Sequence, residues 1–195
     1  MADAGRVIAG AAKGIRLRAP GPGTRPIADR VKQTLFAILE PELAGARVLD
    51  LFAGSGAGGI EALSRGAASA VFVEKDQGAA AVIDANLRAT GLAGPTASVI
   101  RWDVVRWLAE TSTDAGEPFD LVLVDPPYAE TALLVRVLEQ LGATDVPLAP
   151  DARVVAKHFW RDRPPDRVGR LAAERDRRFG ETALTFYRRT SEEPA

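Results

Sequence analysis

Arg47-Val48-Leu49-Asp50-Leu51-Phe52-Ala53-Gly54-Ser55-Gly56-Ala57-Gly58-Gly59-Ile60 decides the fold. Val48–Phe52 is a short apolar run closed by glycines, which reads as a buried strand rather than a helix. The glycine turn opens a helix to about Arg65. The same alternation then repeats. Ala70–Val73 is a second strand ending on Glu74, Gln77–Thr90 a helix, and Ala97–Ile100 a third strand with Asp103 just beyond. A short helix and a polar loop over 111–118 lead to strand Phe119–Val124, helix Thr131–Leu141 and strand Arg153–Ala156. Residues 169–178 and Thr182–Tyr187 read as a closing antiparallel pair. Apolar strands alternating with helices predict an α/β fold, Rossmann-like, with a mostly parallel, doubly wound sheet of seven strands.

Ahead of this pattern lies a different kind of segment. Val7-Ile8 and Ile15-x-Leu17 read as a hairpin whose turn runs from Gly10 to Gly14. The loop Pro20–Gly23 follows. Asp29 is placed to cap a helix to about Glu40, with Val31, Leu35, Ile38 and Leu39 on one face and Pro41 as its stop. The expected organisation is a basic extension over 1–40 and one α/β domain over 41–190.

The 195 residues, 47% hydrophobic, suffice for one domain with a core. With no cysteine there is neither a disulfide nor a thiolate metal site, and the single histidine, His158, excludes a histidine-rich one. No metal is expected. No apolar run is long enough to span a bilayer and the first residues lack a signal-peptide core, so a cytoplasmic protein with no membrane partner is expected. A net charge of −1 hides a pattern: residues 1–34 carry +5, 35–152 carry −10 and 153–189 carry +6. Basic flanks fit a polyanion gripped by the ends, and equally fit solvated arginines.

Gly54-x-Gly56-x-x-Gly59 alone fits a dinucleotide fingerprint. Its context differs, because Asp50 stands at the strand end inside the turn. A carboxylate there repels a pyrophosphate but suits an ammonium or sulfonium group, so Asp50, Phe52, Gly54, Ser55 and Gly56 match S-adenosylmethionine better than NAD. Glu74 suits a ribose diol in either case. Asp103 suits an adenine amine, or simply caps a helix.

Asp125-Pro126-Pro127-Tyr128 ends the fourth strand. The prolines lack N–H groups and fix φ, so the chain past Asp125 is stiff. This edge of an open α/β sheet is where ligands bind. Exocyclic amines on bases are poor nucleophiles because the lone pair is delocalised. Acceptors such as the Asp125 carboxylate and the Pro126 carbonyl favour a pyramidal nitrogen, while Tyr128 stacks the ring. Asp125 can take the proton itself or pass it to water.

The two motifs resemble amino-group methyltransferases with an Asp/Asn-Pro-Pro-aromatic tetrapeptide. Arg6-Val-Ile-Ala-Gly, Lys13-Gly-Ile-Arg-Leu, Arg25-Pro26, Asp29–Phe36, Asp50–Gly56 and Glu61–Ala67 are similar to the RsmD-type bacterial methyltransferases. The likeness covers about Arg6 to Tyr187, and its narrow part is the hairpin with the Asp29–Phe36 helix. It departs at Ile27, where threonine is expected, at Gln33, where an acid is, and at Gly58, where a larger apolar residue is. The resemblance implies methylation of N2 of guanine 966 in 16S ribosomal RNA by S-adenosylmethionine, in a monomer. It implies Asp125, Pro126, Pro127 and Tyr128 as the catalytic tetrapeptide and adds Lys75 and Val104 to the cofactor set. Arg6, Lys13, Arg16, Arg18, Arg25 and Arg30 would grip RNA, and the target base would be splayed out.

Other readings remain. A DNA adenine-N6 methyltransferase would need a target-recognition region for which there is no room. A protein glutamine methyltransferase typically has asparagine at position 125. A NAD-binding oxidoreductase or a noncatalytic nucleotide-binding module explains neither Asp50 nor the tetrapeptide. His158, Trp102 and Trp107 read as packing residues. Arg161–Arg167 reads as a charged loop beyond the active-site edge, fitting RNA contact and solvated charge equally.

Overall fold

The computed structural model describes residues 3–21, 28–111, 117–127, 130–143 and 147–191. The chain forms two compact units, Met1–Trp102 and Asp103–Ala195.

In the first unit, β1 (Asp3–Arg6) and β2 (Arg16–Arg18) pair antiparallel. The first strand lies earlier than its apolar residues suggest. Val7 begins the turn, where its N–H donates to Ile15 O (2.9 Å) and its carbonyl accepts from Gly14 N (2.8 Å). Helix α1 (Asp29–Leu43) runs through Pro41, which was expected to end it. Pro41 removes one late backbone donor, while Leu39 and Leu43 are buried on either side and hold the last turn in place. The N-cap is Ala28, and no side chain caps the helix; Asp29 instead lies 3.4 Å from Arg6.

Strands β3 (Arg47–Leu51), β4 (Ser69–Glu74) and β5 (Ala97–Arg101) are parallel, in the order β5-β4-β3. Helix α2 (Ala57–Ser64) joins β3 to β4, and α3 (Gln77–Thr90) joins β4 to β5. All eight residues of α2 are buried. A helix buried all round needs cover on every side and partners for its polar groups, Glu61 and Ser64, and the hairpin supplies part of both. Ala11 N donates to Ser64 O (2.8 Å). A Cβ on Gly10 would stand 1.7 Å from that same carbonyl, so only glycine lets the turn come this close.

The second unit contains α4 (Val104–Glu110), β6 (Phe119–Val124), α5 (Thr131–Leu141), β7 (Leu148–Phe159), β8 (Arg167–Val168), β9 (Leu171–Phe179) and β10 (Thr182–Arg189). Its strand order is β6-β7-β10-β9-β8, parallel between β6 and β7 and antiparallel beyond. Strand β7 is three times the length expected for it, because it pairs on both sides. Pro150 has no N–H to donate, and the β6 register slips there, from Phe119↔Leu148 to Leu121↔Arg153. Among the described residues no helix is long and apolar enough to cross a membrane, and no cluster of His, Asp or Glu could hold a metal ion.

Candidate active site

Two edges carry the expected site residues, one in each unit. In the first unit, β3 and β4 run side by side, with Asp50 opposite Phe72 and Leu51 opposite Val73. Their C-terminal ends therefore bring Asp50, Phe52, the glycine turn and Glu74 together. The turn is tight: Phe52 has φ 60° and Gly54 φ 55°. Gly56 caps α2 at φ 76°.

The carboxylates here are already engaged with backbone. Asp50 is buried, and its Oδ2 accepts from Gly59 N (2.8 Å) at the start of α2. Glu74 Oε2 accepts from Gly54 N (2.9 Å) and Oε1 from Asp76 N (2.9 Å). Each carboxylate oxygen has a second acceptor position, so Glu74 can shape the turn and still receive a ligand's hydroxyls. The third glycine serves packing: a Cβ on Gly59 would stand 2.4 Å from the Phe72 ring. Ser55 is buried, its carbonyl accepting from Asn86 Nδ2 (2.8 Å), whereas Lys75 is exposed. Trp102, after β5, is 46% exposed, the one exposed large hydrophobic side chain among the described residues.

In the second unit Asp103 caps α4, its Oδ1 accepting from Arg106 N (3.1 Å), and Val104 is buried. Asp125, Pro126 and Pro127 follow β6. Tyr128 lies outside the described residues, as does Arg25.

Lys157 is the residue that sequence reasoning missed. Its Nζ donates to both oxygens of Asp125, at 2.6 and 2.8 Å. The register explains the meeting: Val124 pairs with Ala156, so the next residues along β6 and β7 are Asp125 and Lys157. The lysine side chain is 8% exposed and the carboxylate 26%, which leaves Asp125 open on one side. Burial pushes the Asp125 carboxyl above its ordinary range, and the Lys157 ammonium pulls it part of the way back. The available signal was a lysine in the otherwise apolar run Val154-Val-Ala-Lys157.

His158 is buried. Its Nδ1 donates to Phe159 O (2.8 Å) and its Nε2 lies 2.9 Å from Thr185 Oγ1, which donates to Asp176 (2.7 Å). Burial lowers the His158 pKa. This is a packed structural link, consistent with the packing role expected for it.

Of the expected RNA contacts, Arg6 lies against Asp29 and Arg16 against Asp3 (2.5 Å), while Lys13, Arg18 and Arg30 are exposed. The hairpin that carries most of them is held to the α/β layer by a buried carboxylate. Glu61 accepts from Ile8 N (2.7 Å), Ala9 N (3.0 Å) and Arg65 Nε (2.8 Å), and lies 3.9 Å from the fully buried Lys32 Nζ. Burial lowers the Lys32 pKa and Glu61 opposes that shift.

The chain as a whole is similar to known proteins. The family model described as "Conserved hypothetical protein 95" matches residues 5–188. The Ribosomal RNA small subunit methyltransferase D of Escherichia coli is 36% identical over 190 residues, 96% of this chain and 91% of its own. The solved structure of yhhF from Escherichia coli superposes with a TM-score of 0.83 at 32% identity, covering 96% of this chain and 98% of that one. At the level of the fold alone, SMU.776, crystallised with SAH, matches with a TM-score of 0.59 at 14% identity, over 78% of this chain and 49% of its own. The fold is that of the S-adenosylmethionine-dependent methyltransferases, and the chain belongs to the conserved hypothetical protein 95 family, that of methyltransferase D.

Proposed function

We propose that the protein transfers the methyl group of S-adenosylmethionine to the exocyclic N2 of a guanine in small-subunit ribosomal RNA, of the guanine 966 type. The observation that carries this reading is the Asp125 carboxylate, held at the end of β6 by Lys157 and followed by two prolines. The name of the Escherichia coli relative supplies the RNA.

The first unit fits the cofactor and disfavours NAD. A pyrophosphate needs the free N–H groups at the start of a helix such as α2. Here Asp50 accepts from Gly59 N and places a negative charge at that point. The same charge suits a cationic methionine end. Glu74 would hold the ribose hydroxyls, Asp103 and Val104 the adenine, with Phe52, Gly54, Ser55 and Gly56 forming the turn around the ligand and Lys75 at its rim. S-adenosylmethionine supplies an electrophilic methyl group on a sulfonium.

In the second unit Lys157 favours the ionised form of Asp125 and orients it. Asp125 and the Pro126 carbonyl accept the two amine hydrogens, which turns the nitrogen lone pair toward the methyl group; Tyr128 would stack the base. A bond forms from N2 to the methyl carbon as the carbon–sulfur bond breaks, and one N–H proton then leaves. Asp125 acts first by positioning the amine, and the proton leaves to Asp125 or to water. The hairpin, with Lys13 and Arg18 exposed, and Arg30 at the start of α1 would contact RNA.

A thermal-shift measurement tests the cofactor assignment. S-adenosylhomocysteine at about 100 times its Kd raises stability by about 2.7 kcal/mol, and NAD leaves the melting temperature unchanged. A shift with NAD and none with S-adenosylhomocysteine overturns it.

A further inference from the structure

The arginines of the second basic stretch differ in what they meet. Arg163 is neutralised, lying 2.5 Å from Asp166 and 2.8 Å from Asp176. Arg153 and Arg188 both meet Glu174. Arg161 and Arg178 are exposed and meet no carboxylate among the described residues; they gather instead on one aromatic ring. The Arg178 guanidinium carbon lies 3.6 Å from the Trp160 ring centroid and that of Arg161 lies 4.9 Å from it.

The backbone fixes this cluster. Trp160 follows β7 directly, and its N–H donates to Glu181 O (3.0 Å), which pins it to the β9–β10 turn. Arg178 Nε donates to Gly180 O (2.9 Å) in that turn. Phe159 supports the indole from one side, with centroids 6.2 Å apart. A guanidinium stacked on an aromatic ring is held flat while keeping N–H groups for another partner.

Its position relates it to the site. Lys157, which grips Asp125, is three residues before Trp160 on the same strand end. At the rise of an extended chain that separation is about 10 Å. A nucleotide neighbouring one whose base lies at Asp125 falls within that reach.

We infer that Trp160, Arg161 and Arg178 form a contact surface for the single-stranded RNA flanking the target guanine, with the guanidinium groups on phosphate and the stacked planes against an unpaired base. This rests on the RNA reading above and deepens it. Among the hairpin's cations, Arg6 and Arg16 are already turned to carboxylates, whereas Arg161 and Arg178 are held ready without one. Phosphate contacts position a strand without reading it, so the surface contributes to affinity more than to choice of base.

Two measurements run in parallel on the full chain: anisotropy of a fluorescein-labelled single-stranded RNA, and methylation of unmodified small subunits. For Arg161→Ala/Arg178→Ala we expect RNA affinity to fall by about tenfold or more and the slope of log affinity against log salt to shrink by about 1 to 2. On subunits KM rises and kcat at saturation changes little. Trp160→Phe keeps a stacking plane and loses less affinity than Trp160→Ala. Unchanged RNA affinity and salt slope in the folded double variant overturn the surface, whatever the methylation result. Equal binding of polyglutamate to wild type also overturns it. Normal RNA binding by wild type with no guanine methylation overturns the function reading and leaves the surface standing.

Discussion

Lys157 Nζ bridges both oxygens of Asp125, at 2.6 and 2.8 Å. A buried carboxylate without this partner would hold its proton and become a donor. The lysine favours the ionised, accepting form, which an amine hydrogen requires. In the proposed reaction the acting group is therefore a pair drawn from two neighbouring strands, with Lys157 as its positioning residue.

Removing the lysine separates this role from simple packing. In Lys157→Met the Asp125 pKa, already above its usual range through burial, rises further. Activity needs the ionised form, so the acidic limb of the kcat profile moves to higher pH and kcat near neutrality falls by about 10²-fold, the scale of a lost positioning interaction. Lys157→Arg restores part of the rate and returns the limb toward wild type. A kcat profile unmoved in Lys157→Met refutes the pairing's importance.

Asp125→Ala removes the acceptor itself. Turnover is lost while S-adenosylhomocysteine binding persists, because the residues proposed for the cofactor in the first unit are untouched. Isothermal titration of the variant checks the second half of this claim. Residual turnover within tenfold of wild type contradicts the role given to Asp125.

Glu61→Ala leaves Lys32 buried without its countercharge and frees the Ile8 and Ala9 N–H groups. Breaking a buried pair from one side costs about 3–5 kcal/mol. For a chain of this size that lowers the melting temperature by about 10 °C, and proteolysis begins in the hairpin. Melting within a degree or two of wild type would show that the hairpin is held by something else.

Gly59→Ala drives a methyl group to 2.4 Å from the Phe72 ring. Overpacking of this kind costs about 1–3 kcal/mol. Phe72→Leu in the same chain recovers part of it, so the two changes are not additive. Additive losses by calorimetry contradict the contact.

What the sequence made legible was local. The Asp50–Gly59 turn could be read because strand, glycines and helix are consecutive, and the helices at Gln77–Thr90 and Thr131–Leu141 lie where their patterns place them. Lys157 could not, since its meeting with Asp125 depends on the register Val124↔Ala156 across 32 residues of chain. Pro41 misled because a proline in the last turn removes a single bond, and the burial of Leu43 outweighs it. The constraint on Gly59 is Phe72, a neighbour that only packing reveals.

The central claim is guanine-N2 methylation of small-subunit RNA. The direct measurement incubates the protein with labelled S-adenosylmethionine and small subunits from a strain lacking the modification, then digests the RNA and identifies the labelled nucleoside. The account predicts label in N2-methylguanosine. Label in DNA or protein, with no N2-methylguanosine, contradicts it.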